Sequence, residues 1–152
     1  VYYGDEAGVC GFTDPDNRRT YPWGHEDQMM IAFHRDMIRI HKEYEFLRNG
    51  SLIFLWNDYQ GLCFGRFSHD ERIIVILNNR GEDREVEIDV WKTGISRLQD
   101  SQLKRVMLSY RDGYTTEEYF YTAKAGIIKV PMPAFGAMVL YHKCENPRDF
   151  LK

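Results

Sequence analysis

The chain has 152 residues, 43% apolar and 14% aromatic, with 20 Lys and Arg against 23 Asp and Glu for a net charge of −3. That composition suits one ordinary domain, or one domain with part of another, and excludes a disordered chain. The charges are interspersed and no apolar run approaches the ~20 residues of a spanning helix, so neither a nucleic-acid nor a membrane partner is expected.

Three widely spaced cysteines, Cys10, Cys63 and Cys144, form no Cys-x-x-Cys pair. They read as free thiols of a reducing compartment, which makes a cytoplasmic location the expectation. Val1 leads directly into an apolar run, which reads as a cut from a longer polypeptide.

In chain order, "VYYGDE" (1–6) predicts a short strand. "GFTDPDNRRTYPWG" (11–24) follows, a connection dense in charge, rings and turn residues. From Glu26 to Arg48 the residues Met30, Phe33, Met37, Ile40, Tyr44 and Leu47 recur at alternating steps of three and four, the pattern of one helix face, widened by Ile31 and Ile38. Acids at the start, Arg48 near the end and "NG" at 49–50 complete that helix.

Beyond Ser51 come short runs rich in β-branched and aromatic residues: "LIFLW", "CFGRF", "RIIVILNN", "EVEIDVW", "KRVMLSY", "EEYFY", "GIIKVP" and "GAMVLYH". Turn signals separate most of them, and Val86, Ile88 and Val90 alternate with acids. About eight strands without intervening helices predict an antiparallel β-sandwich. "KTGISRLQDS" is a polar link with room for a turn of helix. The expected organisation is a strand-loop-helix piece over 1–50, a sandwich over 51–143 and a tail over 144–152.

"VYYGDEAGVCGFTDPDNRRTYPW" resembles the segment that closes the catalytic barrel of the α-amylase superfamily, glycoside hydrolase family 13. The helix that follows, then "NGSLIFLW" and "FGRFSHDERIIVILNN", resemble its last barrel helix and the start of its C-terminal β-sandwich. The Asp-Pro-Asp-Asn-Arg-Arg form is most like the neopullulanase, maltogenic amylase and cyclomaltodextrinase branch. The resemblance implies a mainly β fold: a sandwich preceded by the last strand-loop-helix unit of a truncated (β/α)8 barrel. It also implies a retaining α-glucan hydrolase or transglycosylase, working on starch, maltodextrin or pullulan. The family's catalytic Asp, Glu and Asp, and its sugar-gripping histidines, lie upstream of the matched segment. The chain alone is therefore expected to hold no catalytic residue, and no cofactor or metal.

Asp5 and Glu6 are a tempting pair, but retaining glycosidases hold two carboxyls about 5–5.5 Å apart across the scissile bond. Neighbours on a strand point to opposite faces, so a structural role is expected. Asp14 and Arg18 are better placed. Loops that follow barrel strands line the cleft, and an Asp with an Arg fork suits paired sugar hydroxyls. By resemblance, they contact a sugar on the non-reducing side of the cleavage point; alternatively they pair and only shape the loop. Asp16, Asn17 and Arg19 offer similar groups or ordinary turn chemistry, and Tyr21 and Trp23 offer rings for stacking on sugar or for packing. His34 and His41, seven apart, do not make the i, i+4 metal pair. Trp56, Tyr59, Phe64 and Trp91 are expected in the sandwich core rather than in a carbohydrate platform.

The expected partners are an α-glucan oligosaccharide, through the intact parent, and the missing barrel segments. The apolar helix face, without its barrel neighbours, is expected to be covered by self-association or by folding back onto the sandwich. The other classes left open are a stand-alone carbohydrate-binding module and a purely structural sandwich.

Overall fold

Residues 2–8 form no strand. In the computed structural model, which describes residues 2–144, Gly4 takes φ 86° and a single 3-10 turn runs over Asp5–Ala7. The Val9 N–H returns to the Gly4 carbonyl at 3.0 Å. A strand needs a ladder partner, and a left-handed glycine bends the chain away from one. Val1 and most of the expected tail, from residue 145 onward, lie outside the described residues.

The chain divides into two units, Val1–Tyr44 and Glu45–Lys152. In the first, helix α1 (Gln28–Glu43) starts two residues later and ends five earlier than its apolar stripe predicts. Asp27 stays outside as the cap, its Oδ1 accepting from the Met29 and Met30 N–H groups at 2.9 and 3.0 Å. At the other end Tyr44 leaves helical geometry at ψ 88°, although no Gly or Pro marks the place. Ile40 and Tyr44 are buried, while Met30, Phe33 and Met37 are half-buried. The Asp27 N–H donates to the Ala7 carbonyl at 3.1 Å, so the two feet of the long connection are tied together. Gly8, with φ 72°, lets them meet, since a Cβ there would stand 3.2 Å from Asp27 Cβ.

The second unit opens with a helical turn, α2 (Phe46–Asn49), and continues as strands. Among the described residues there are nine: β1 (Ser51–Asp58), β2 (Gly61–Phe67), β3 (Glu71–Asn78), β4 (Arg84–Ile88), β5 (Ser101–Tyr110), β6 (Gly113–Thr115), β7 (Tyr119–Ala123), β8 (Ile128–Met132) and β9 (Gly136–Lys143). A large antiparallel sheet runs β1-β2-β3-β9-β5, and the far edge of β5 pairs first with β7 and then with β6. A second sheet holds β4 and β8. This is the predicted antiparallel sandwich.

Alternation explains the two layers. Val86 and Ile88 pair with Val130 and Ile128 and are buried with them, while Glu87 and Lys129 face outward and join at 2.8 Å. Opposite them the large sheet contributes Leu55, Cys63, Ile74, Ile76, Leu103, Met138 and Leu140 to one core. Val90 belongs to that core, yet it sits in a 3-10 turn (Val90–Thr93) beyond the end of β4, so "EVEIDVW" is strand only in part. A bulge between Phe54 and Trp56 turns Trp56 to pack against the core. Arg72 is buried and spreads its guanidinium over the carbonyls of Thr93, Ser68, Glu71 and His69, tying the β2–β3 turn to the 3-10 turn. No helix among the described residues is long and apolar enough to cross a membrane.

Candidate functional site

The connection between Gly8 and Asp27 carries the sequence-predicted site residues. Its neck is closed by Gly11, where a Cβ would come 2.6 Å from the Asn17 Cα. Beyond the neck, the Asp16 N–H donates to the Thr13 carbonyl at 2.9 Å, the Arg18 N–H donates to Pro15 at 3.0 Å, and Asp16–Arg18 form one 3-10 turn.

Two ion pairs sit on that turn, and they differ. Asp16 accepts from the Phe12 N–H at 2.8 Å and takes Arg19 in a fork, with contacts of 2.7 to 2.9 Å to both carboxylate oxygens. The Phe12 N–H and then Arg19 hold its carboxyl below the usual carboxylate range. Asp16 and Arg19 thus clamp the loop. Asp14 and Arg18 meet at one contact of 2.8 Å and one of 3.4 Å, with side chains 60% and 72% exposed. Such a solvated pair contributes little to stability, so its groups are available to a ligand. Asp16 and Arg19, 43% and 56% exposed, are thus engaged in the loop's own bonds, while Asp14 and Arg18 are the more solvated pair. The Asn17 side chain makes no hydrogen bond among the described residues.

The rings divide in the same way. Trp23 is 80% exposed, and Tyr21, half-buried, packs against it with ring centroids 4.6 Å apart. Burial, then the charges of Glu26 and Glu6, push the Tyr21 phenol above its ordinary value. Phe12, which sequence reasoning passed over, is the most exposed ring of the loop at 84%. The available signal was its position between Gly11 and a polar run, where no apolar periodicity explains a phenylalanine.

Asp5 and Glu6 occupy the 3-10 turn rather than a strand, and Asp5 Oδ2 accepts the Tyr2 N–H at 3.1 Å. His34 Nδ1 lies 2.8 Å from the Met30 carbonyl, one turn back along its own helix. No group of three or more His, Cys, Asp or Glu among the described residues is arranged to hold a metal ion. Of the four aromatics assigned to the sandwich core, Trp56 packs there. Phe64 and Trp91 do not belong to that core: Phe64 alternates with core-facing Cys63 and pairs edge-on with exposed Phe54 at 6.5 Å, and Trp91, 38% exposed, lies under Arg97 at 4.9 Å. Tyr59 is a correction: it stands at the tip of the β1–β2 turn, fully exposed, because both flanking strands end there.

No family model matches the chain. An amylopullulanase from Thermoanaerobacterium saccharolyticum is 31% identical over 151 residues, covering 92% of this chain and 11% of that protein. Neopullulanase 2 from Thermoactinomyces vulgaris is 30% identical over 146 residues, covering 93% of this chain and 23% of its own. The chain belongs to the α-amylase superfamily. It spans about a tenth to a quarter of the length of these two superfamily relatives. The fold agrees with that of solved superfamily structures. An α-amylase from Geobacillus thermoleovorans superposes with a TM-score of 0.74 at 19% identity, covering 95% of this chain and 29% of that one. A maltogenic α-amylase from Thermotoga neapolitana gives 0.71 at 20% identity, covering 94% and 32%. The strand-rich unit is the superfamily's C-terminal β-sandwich.

Proposed function

We propose that this chain works as part of a retaining glycoside hydrolase or transglycosylase acting on α-glucans such as starch, maltodextrin or pullulan. In that reading the loop supplies one wall of the sugar cleft and the sandwich supports it. The observation that carries it is the exposed Asp14–Arg18 pair, on the turn that the Asp16–Arg19 clamp holds, with the open ring of Trp23 further along the same loop. A carboxylate acceptor and a guanidinium fork match vicinal hydroxyls, and a ring offers a face for the apolar side of a pyranose. The names of the superfamily relatives support the substrate class, and the small share of their length that the chain spans supports its being one part of such an enzyme.

The chain's own carboxylates suit binding rather than cleavage. Those of the loop sit in ion pairs with arginines, whereas retaining chemistry needs an acid and a nucleophile about 5–5.5 Å apart across the bond. The catalytic pair then comes from other segments of the parent, and the isolated chain is inactive.

Titrating the labelled chain with maltotriose tests the loop. The Asp14–Trp23 amides shift and saturate, and Asp14→Ala or Arg18→Ala removes the effect. A folded chain with no shift in this loop at any concentration overturns a subsite role for the isolated loop. Release of reducing sugar from pullulan by the pure chain, abolished by mutating one of its own carboxylates, overturns the division of labour.

A further inference from the structure

At the end of the large sheet, the β1–β2 turn, the end of β3 and the turn entering β9 enclose a groove of about 530 Å3. Asn57, Tyr59, Gln60, Asn79, Phe135 and Gly136 are among its lining. All lie in the second unit, and none takes part in the loop site.

Its walls are tied together by bonds that use the side chains of Asn78 and Gln60 and leave those of Asn57, Tyr59 and Asn79 free. Asn78, 2% exposed, donates from Nδ2 to the Glu82 and Pro133 carbonyls at 3.0 and 2.8 Å and accepts the Arg80 N–H at 3.2 Å. The Asn79 N–H donates to the Gln60 carbonyl at 2.8 Å, and the Phe135 N–H donates to the Arg80 carbonyl at 2.9 Å. These bonds pin three chain turns in one arrangement before any ligand arrives, which lowers the ordering cost of binding.

What the walls present is chemically specific. Tyr59 is fully exposed and gives the groove one open ring, while Phe135, 48% exposed, has the Arg111 guanidinium 5.8 Å from its ring centroid. Phe135 is held at φ 51°, the left-handed region that a bulky side chain rarely enters. The side-chain carboxamides of Asn57 and Asn79 and the Tyr59 hydroxyl make no hydrogen bond among the described residues. The one ionisable carboxyl of the lining, Asp58, is neutralised by Arg84 at 2.8 Å. The open Tyr59 ring and the unused amides suit a ring bearing hydroxyls, and Arg80, which donates from Nε to Gln60 Oε1 at 3.0 Å, sets a positive charge beside them.

We infer that this groove is a second carbohydrate-binding site, taking a glucosyl segment of an α-glucan chain between Tyr59 and the carboxamides of Asn57 and Asn79. The choice of α-glucan rests on the function proposed above; the groove, its open ring and its unused amides do not. Such a site would tether the polymer to the second unit and raise the local concentration of chain ends and branches.

The test is titration of the labelled full chain with maltoheptaose, and in parallel with cellopentaose. Saturable shifts of the Asn57–Gly61, Asn79 and Gly136 amides with maltoheptaose are expected. Tyr59→Ala should weaken them about tenfold or more, and Asn79→Ala less, with the other sheet amides unmoved. Because Tyr59 is fully exposed, its substitution leaves the fold intact. A folded chain without those shifts, or Tyr59→Ala binding as tightly as the parent, overturns the site. Shifts confined to Asp14–Trp23 overturn the site and leave the loop reading standing. Groove binding of cellopentaose without maltoheptaose overturns the α-glucan assignment.

Discussion

The guanidinium of Arg84 lies 4.5 Å from the ring centroid of Trp56, and its Nη1 donates to Asp58 at 2.8 Å. Nε and Nη2 of the same side chain are buried with no partner. The stacking favours Arg84, and the orphaned donors count against it. Arg84→Ala should destabilise the sandwich by about 1–2 kcal/mol, mostly through lost packing. Arg84→Met keeps the stem over the ring and removes the orphans, so it should cost less, under about 1 kcal/mol. Urea midpoints for the two variants decide this; equal losses would show that charge, not packing, dominates.

The two loop ion pairs should respond differently to removal. Asp16→Ala removes the acceptor of the Phe12 N–H and the Arg19 fork, so exchange at the Phe12 amide should rise by an order of magnitude or more. Asp14→Ala should leave that exchange within about twofold, because its pair is solvated. Hydrogen exchange followed by NMR reads both.

The same clamp sets an acid limit. The Asp16 carboxyl titrates lower in the folded chain than in the unfolded one. Its contribution is therefore present above the unfolded value of ~3.9 and lost as pH falls through the folded one. A carboxyl carbon titration should give Asp16 a midpoint below ~3.9. Arg19→Gln should raise it only part of the way, since the Phe12 N–H is the larger cause.

Burial pushes the Cys63 thiol up to about 12. Between the unfolded value of ~8.5 and that figure, the unfolded chain releases the proton first, so stability falls as pH rises through this window. In native protein at pH 8, a thiol reagent should modify the exposed Cys10 quickly and Cys63 only on unfolding. Modification of both at one rate would contradict a closed core.

Replacing the cap should be felt at the helix alone. Asp27→Ala removes the acceptor for two N–H groups and should cost about 1 kcal/mol, with Asp27→Asn costing less. Circular dichroism during thermal unfolding, with the sandwich followed by its tryptophans, separates the two units.

Much of the fold was legible because local patterns repeat. Val86, Ile88 and Val90 announce their buried face without any neighbour in view. The break at Tyr44 was hidden, because helical geometry resumes at Phe46 and carries the same stripe on to Leu47. Strand β6 is three residues of hairpin return, shorter than any periodicity can register. In the loop, residue types named the candidates, but only three-dimensional pairing separated Asp14 from Asp16. The groove was the least legible part: Tyr59, Asn79 and Phe135 come from three turns, and no spacing along the chain joins them.

The bond between the Ala7 carbonyl and the Asp27 N–H closes the loop at its base. Lengthening a closed loop is cheap, about 0.6 kcal/mol for each doubling, and neither the turn at one foot nor the helix at the other need move. The segment from Gly8 to Glu26 is in that sense a cassette. It can be lengthened, shortened or rewritten while the scaffold on either side of the clasp stays as it is.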